Sequence, residues 1–149
     1  MSKFAVLLSL ALFASLHVQV HAQASTDPVL IKAAAERDAV VTSSGLVYRS
    51  LTEGKGDAPS ATDTVRVHYR GSFPDGKEFD SSYSRGQPAS FPLNRVIKCW
   101  TEGVQRMKVG GKAKLTCPSA IAYGERGSSG AVPPNAILVF EVELLAVQK

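Results

Sequence analysis

The chain has 149 residues, 44% of them hydrophobic, with 17 basic and 13 acidic side chains for a formal net charge of +4. That is room for one domain, and the charges are scattered without a basic block or an RNA-type aromatic ladder, which excludes nucleic acid as a natural partner. Two cysteines and the one histidine beyond residue 24, His68, match no zinc pattern, so neither a metal nor a cofactor is expected.

In chain order, Lys3 is followed by an apolar run over residues 4–16 and by small residues at Ala22 and Ala24. A basic start, a short apolar centre and a small-x-small end describe a secretory signal peptide over residues 1–24, cleaved after Ala22 or Ala24. The run is too short to span a membrane, and with no cysteine at the junction a lipid anchor is not expected. Export makes the expected compartment the periplasm or the outside of the cell. In an oxidising compartment Cys99 and Cys117 favour a disulfide; the alternative is two small buried hydrophobes.

Residues 25–44 hold one short helix and a linker. Asp27-Pro28 is an N-cap followed by proline at the first helical position, ahead of VLIK and three alanines. Residues 46–51 alternate loosely, as an edge-like strand does, and residues 52–61 are a polar loop. Residues 64–70 (TVRVHYR) give the clearest strand, with Val65, Val67 and Tyr69 on one face and Arg66, His68 and Arg70 on the other. Pro74-Asp75-Gly76 supplies a turn, after which KEFDS returns with Phe79 beside Asp80. Phe91 sits between two prolines. Trp100, Val104 and Met107 fall at i, i+4 and i+7, the spacing of one helix face, with Gly110-Gly111 as the stop. Ala113, Leu115 and Cys117 alternate with Lys112, Lys114 and Thr116. After a loop from Gly124 to Pro134, Leu138, Phe140, Val142 and Leu144 alternate with Val139, Glu141 and Glu143 as a strand with one wet face. The sum is an α+β domain with a short helix laid on one face of an antiparallel sheet.

Common catalytic machinery has no parts here. His68 lies on the strand face opposite Tyr69, so no nucleophile–His–acid arrangement has its base. The Gly124–Gly130 loop lacks the strand–loop–helix surroundings of a nucleotide site, and no close carboxylate pair is evident. Aromatic residues are instead in surplus: Tyr69, Phe79, Phe91, Trp100, Tyr123 and Phe140 are six of the nine beyond residue 24. An aromatic-rich core would account for them, but the prolines and glycines around Phe91, Tyr123 and Val132 put them at loop–strand junctions, where pockets form.

Five segments taken together, VRVHYRG, DGKEFDSS, VIKCWTEGVQRMKVGGKAKL, AYGERG and VPPNAILVFEVELL, resemble the FKBP-type peptidyl-prolyl cis–trans isomerases, in order and spacing, over residues 45–149. SSGLVYRSL resembles the lead-in strand of the secreted bacterial branch. The resemblance implies an FKBP-like fold, a five- or six-stranded antiparallel half-wrapped sheet around one short helix. It implies catalytic positions at Tyr69, Asp80, Ile97 (through its backbone N–H), Tyr123 and Phe140. Substrate-binding positions follow at Phe79, Phe91, Val96, Trp100 (the floor) and Val132. Proline-containing polypeptides are the implied clients and rapamycin- or tacrolimus-type macrolides the implied inhibitors. Only about twenty residues separate the signal from Gly45, too few for the helical arm through which secreted relatives dimerise, so a monomer is expected. Lys98-Cys99 replaces a common Pro-Gly, Ser128 a common histidine and Ala131 a larger aliphatic; these rim changes bear on substrate preference and macrolide affinity. Cys117 replaces a buried aliphatic beneath the helix that Cys99 begins, which favours the bridge. Two other functions remain open to the residues alone: a module that captures proline-containing segments without turnover, and a structural envelope protein.

Overall fold

Apolar side chains two residues apart share one face of an extended chain, and the two longest such runs, residues 65–69 and 138–144, lie side by side in one sheet. The computed structural model describes residues 25–149; the signal peptide expected over residues 1–24 lies outside the described residues. Helix α1 (Pro28–Ala34) precedes strands β1 (Val40–Val41), β2 (Val47–Thr52), β3 (Thr64–Ser72), β4 (Glu78–Ser81) and β5 (Ala89–Pro92). A 3-10 turn (Leu93–Arg95), helix α2 (Lys98–Val104), β6 (Lys112–Cys117), two more 3-10 turns (Ser119–Ile121 and Gly124–Arg126) and β7 (Leu138–Gln148) complete the chain. Among the described residues no helix is long and apolar enough to cross a membrane.

The strands form one antiparallel sheet of seven, in the order β1-β2-β6-β7-β3-β4 with β5 also paired to β3. The count exceeds the five or six that the resemblance implied because the two-residue β1 and the four-residue β5 also pair into the sheet. Register sets the inner face. Leu115 and Gly71 both lie opposite Phe140, while Ala113 and Tyr69 lie opposite Val142. Val65, Val67, Ala113, Leu115, Cys117, Leu138, Val142 and Leu144 are thereby fully buried. The outer face is charged, with Lys112 opposite Glu143 and both Lys114 and Arg70 opposite Glu141, the opposite-sign pairing that stabilises antiparallel neighbours.

Helix α2 lies across the inner face. Its buried residues are Cys99, Trp100, Gly103 and Val104. Gly103 permits the close approach, since a Cβ there would stand 2.8 Å from both Cδ atoms of Leu115 on β6. Cys99 and Cys117 are joined in a disulfide, with Cα atoms 5.9 Å apart and both residues fully buried. The helix is shorter than the i, i+4, i+7 spacing suggested. It ends at Val104, and tighter backbone bonds from Arg106 N–H to Gly103 C=O and Met107 N–H to Val104 C=O follow. Met107 stays buried on that turn, which is why its apolar character read as helical.

Helix α1 is docked on the other side. Asp27 caps it by accepting from Val29 N–H at 2.8 Å, with Pro28 behind. Leu30 and Ala33 pack on Val47 in a small separate cluster with Ile137 alongside. Just past the helix, Glu36 accepts from Lys114 Nζ at 2.7 Å and from Arg49 Nη1 at 2.9 Å. The Lys114 hydrogen bond leads in holding the Glu36 carboxyl below its ordinary range, against the opposing push of burial.

The bridge closes a loop with a sequence separation of 18. By the loop-entropy account, its removal costs about 3 kcal/mol of stability. Urea unfolding of the Cys99→Ala/Cys117→Ala variant against the oxidised protein should give that loss, and an unchanged midpoint would show that the bridge does not hold α2 to the sheet.

Candidate functional site

The site grows from Trp100. The residue is 4% exposed, and three rings stand nearly perpendicular to its indole: Tyr69 at 5.2 Å between centroids, Phe91 at 5.5 Å and Phe140 at 5.5 Å. Such edge-to-face contacts contribute about 0.5–1.5 kcal/mol each beyond the area they bury. Each ring comes from a different strand, β3, β5 and β7, so the sheet must close around α2 before the box exists. Phe79 on β4 adds an outer wall, 5.7 Å from Phe140. Gly71 makes room for that wall, because a Cβ there would meet Phe79 Cζ at 2.7 Å and Phe140 Cε1 at 2.9 Å.

Above the indole lies a cavity of about 480 Å³, within the range of small-ligand sites. Tyr69, Phe79, Asp80, Phe91, Val96, Ile97, Trp100, Tyr123 and Phe140 all line it. Val132 does not. Its N–H and C=O both pair with Ser128, at 2.9 and 2.8 Å, and its side chain is buried in the main core. Its contribution is to close the loop behind the mouth. Tyr123 stands at that mouth, 40% exposed. Arg95, which the sequence did not single out, also lines the cavity.

The rim is polar and fully engaged. Tyr69 hydroxyl donates to Asp80 Oδ2 at 2.6 Å, while Arg85 donates from Nη1 to Asp80 Oδ1 at 2.7 Å and from Nη2 to the Tyr69 oxygen at 2.9 Å. Burial pushes the Asp80 carboxyl up, but the hydrogen bonds from Tyr69 and Arg85 outweigh it and hold the group below its ordinary value. Burial, then the bond to Asp80, raises the Tyr69 phenol. The bonds to Tyr69 and Asp80 raise the Arg85 guanidinium, which stays charged. Arg85 was missed in the sequence because it sits on the turn after β4, where no periodicity ties it to Tyr69 or Asp80. His68 points elsewhere: its Nδ1 bonds Ser82 Oγ at 2.9 Å and its ring stacks on Tyr83 at 4.6 Å.

One donor is left for a visitor and a second is buried beneath it. Among the described residues Ile97 N–H has no protein acceptor, although Ile97 C=O accepts from both Trp100 and Thr101 N–H. Trp100 Nε1 is buried without a hydrogen-bond partner, a state that costs about 1–3 kcal/mol when left unmade. The arrangement suits a small apolar ring over Trp100 with carbonyl groups on either side. No nucleophile–base pair touches the cavity.

Comparison with known proteins is consistent with this geometry. The family described as FKBP-type peptidyl-prolyl cis-trans isomerase matches residues 55–145. The chain is 58% identical over 108 residues to the FKBP-type peptidyl-prolyl cis-trans isomerase FkpA of Aeromonas hydrophila, covering 72% of this chain and 40% of that protein. It therefore spans well under two thirds of that curated relative. The crystal structure of FkpA from Escherichia coli superposes with a TM-score of 0.78 at 52% identity, over 80% of this chain and 55% of that one. A peptidyl-prolyl cis-trans isomerase from Pseudomonas syringae pv. tomato superposes with a TM-score of 0.76 at 39% identity, over 81% of this chain and 89% of that one.

The rim makes its own prediction. Asp80→Asn removes the charged acceptor, so the Tyr69 phenol should titrate at lower pH than in the wild type, read by ultraviolet absorbance; an unshifted Tyr69 would sink the assigned bond. Because the folded-state value of Asp80 lies below the ordinary 3.8, its contribution to stability is full above that pH and is lost as pH falls below it. The stability difference between wild type and Asp80→Asn should accordingly be flat at neutral pH and vanish in acid.

Proposed function

The chain belongs to the FKBP-type peptidyl-prolyl cis-trans isomerase family, and we propose that it accelerates cis–trans isomerisation of X-Pro bonds in polypeptides. The observation that carries this reading is the box of Tyr69, Phe91 and Phe140 around Trp100 beneath a cavity with an unengaged backbone donor at Ile97.

An X-Pro bond isomerises unaided in tens to hundreds of seconds because rotation breaks amide resonance, at a barrier of about 18–20 kcal/mol. An acceleration of about 10⁵-fold requires about 7 kcal/mol of selective transition-state stabilisation. No bond is made or broken, so neither nucleophile nor proton transfer is required. The planar amide owes its polarity to the zwitterionic resonance form, and the twisted amide has lost it. A cavity walled by Phe79, Phe91 and Phe140 that excludes water therefore favours the twisted form relative to the planar one. The proline ring packs on Trp100, Ile97 N–H holds a neighbouring carbonyl, and Tyr123 hydroxyl takes a second at the mouth. These contacts fix one side of the rotating bond while the other turns. Asp80 orients Tyr69 and, with Arg85, keeps the rim in place.

In the cell the reading is an exported folding catalyst, acting on proline-containing clients in the periplasm after removal of residues 1–24. It acts as a monomer on residues 45–149, and rapamycin- or tacrolimus-type macrolides compete for the same cavity.

Isomerisation of a Leu-Pro-Phe peptide by the purified chain beyond residue 24, with and without a rapamycin-type macrolide, tests the proposal. Fast turnover blocked by the macrolide is expected. A folded protein without turnover would move the function to capture of proline-containing segments. Loss of one charge-assisted hydrogen bond costs about 1.5–3 kcal/mol, so Asp80→Ala, which frees the Tyr69 hydroxyl at the rim, should lower kcat/KM about tenfold or more while the protein stays folded at neutral pH with only a modest loss of stability. Phe140→Ala should also impair turnover. If both variants match wild type, the site is misassigned.

A further inference from the structure

The cavity carries two charged residues, Asp80 and Arg95, and they are not equivalent. Asp80 is committed: both of its oxygens are bonded, to Arg85 and to Tyr69, so its charge is balanced within the rim. Arg95 is not. It ends the 3-10 turn Leu93–Arg95, is exposed, and among the described residues takes part in no ion pair and no side-chain hydrogen bond. Two residues on, Ile97 presents the backbone donor argued to hold a substrate carbonyl, and exposed Lys98 follows it directly. The lip over residues 95–98 thus puts two positive charges beside the anchoring point and no negative one. Past Tyr123, the turn Gly124–Arg126 carries one acid and one base, Glu125 and Arg126, and neither lines the cavity.

We propose that Arg95 is a specificity-determining residue, favouring Asp or Glu over their uncharged isosteres next to the proline. The inference rests on the isomerase reading and names the substrate class of that site. Between a carboxylate and its uncharged isostere beside the proline, apolar walls offer no partner for the charge, so a charged group at the mouth decides that preference. A carboxylate beside the proline meets an unpaired guanidinium at a partly desolvated mouth, with the planar fork that favours carboxylate. Arg95 is exposed, so the effect has the size of a surface ion pair, about two- to fivefold in kcat/KM, and it weakens as salt shortens the Debye length from about 10 Å at 0.1 M to about 3 Å at 1 M.

The test uses two series of acetylated, amidated peptides, one with the variable residue before proline and one with it after. Glu is compared with Gln at each place, and exchange is followed by NMR so that no coupling protease reads the charge. Wild type should prefer Glu about two- to fivefold in at least one series, and 1 M salt should abolish the preference. Arg95→Gln should bring the Glu-to-Gln ratio to one, and Arg95→Glu should invert it. Because the readout is a ratio, a general loss of activity in either variant does not mimic the result. Equal rates for Glu and Gln in both series, or a preference that survives Arg95→Gln, would overturn the proposal. Failure of the wild-type protein to turn over even the Gln peptides would overturn the isomerase reading instead.

Discussion

The whole arrangement depends on α2 being pressed flat against β6. At seven residues the helix is too short to be stable by its own hydrogen bonds, so it exists because the sheet holds it. Two contacts do the holding. Gly103 lets the helix backbone settle onto Leu115, and the Cys99–Cys117 bridge ties the first turn of α2 to the end of β6. Trp100 follows Cys99 in the chain, so the covalent tie acts one residue from the floor of the cavity. Were the helix to lift, the indole would lose the perpendicular contacts to Tyr69, Phe91 and Phe140 together, because all three rings converge on that one residue.

Above this floor the site separates apolar from polar chemistry. The walls are rings, and the polar groups gather at the rim, where Tyr69, Asp80 and Arg85 satisfy one another. A rim that is already hydrogen-bonded does not reorganise when a ligand arrives. It frames the opening of the cavity. The donor that stays unengaged beside the cavity is the backbone N–H of Ile97, while the unpartnered indole N–H of Trp100 is buried in the floor. Such a site has the parts to bind and orient but none to move protons, which fits the proposed rotation about an amide bond.

The two faces of the sheet have different work. The inner face is apolar and curved around α2. On the outer face charges pair across strands, and α1 covers the β2 end, fixed by Leu30, Ala33 and the Glu36 bonds to Arg49 and Lys114. Docking α1 there leaves the mouth of the cavity unobstructed on the opposite side. His68 illustrates the division: alternation along β3 turns it outward to Ser82 and Tyr83, while Tyr69, the next residue, forms the inner wall.

Much of this was legible in the chain itself. Alternation in residues 64–70 and 138–144 determined which side chains face inward, because an extended backbone leaves no other choice. Asp27-Pro28 marked the start of α1, since a cap and an N1 proline act within a few residues. The family resemblance marked the pocket positions, nine of which meet at the cavity, six of them aromatic. What the chain could not state are relations between residues that only register and turn geometry bring together. Arg85 reaches Tyr69 and Asp80 because the turn after β4 folds back over β3. Val132 turns into the core because its backbone is committed to Ser128. Arg95 stands unpaired at the lip because the 3-10 turn before α2 carries it there, while Asp80 across the cavity is committed to Tyr69 and Arg85. Local periodicity acts through bonds along the chain, whereas these placements come from strands distant in sequence lying side by side, and that was decided only when the sheet closed around Trp100.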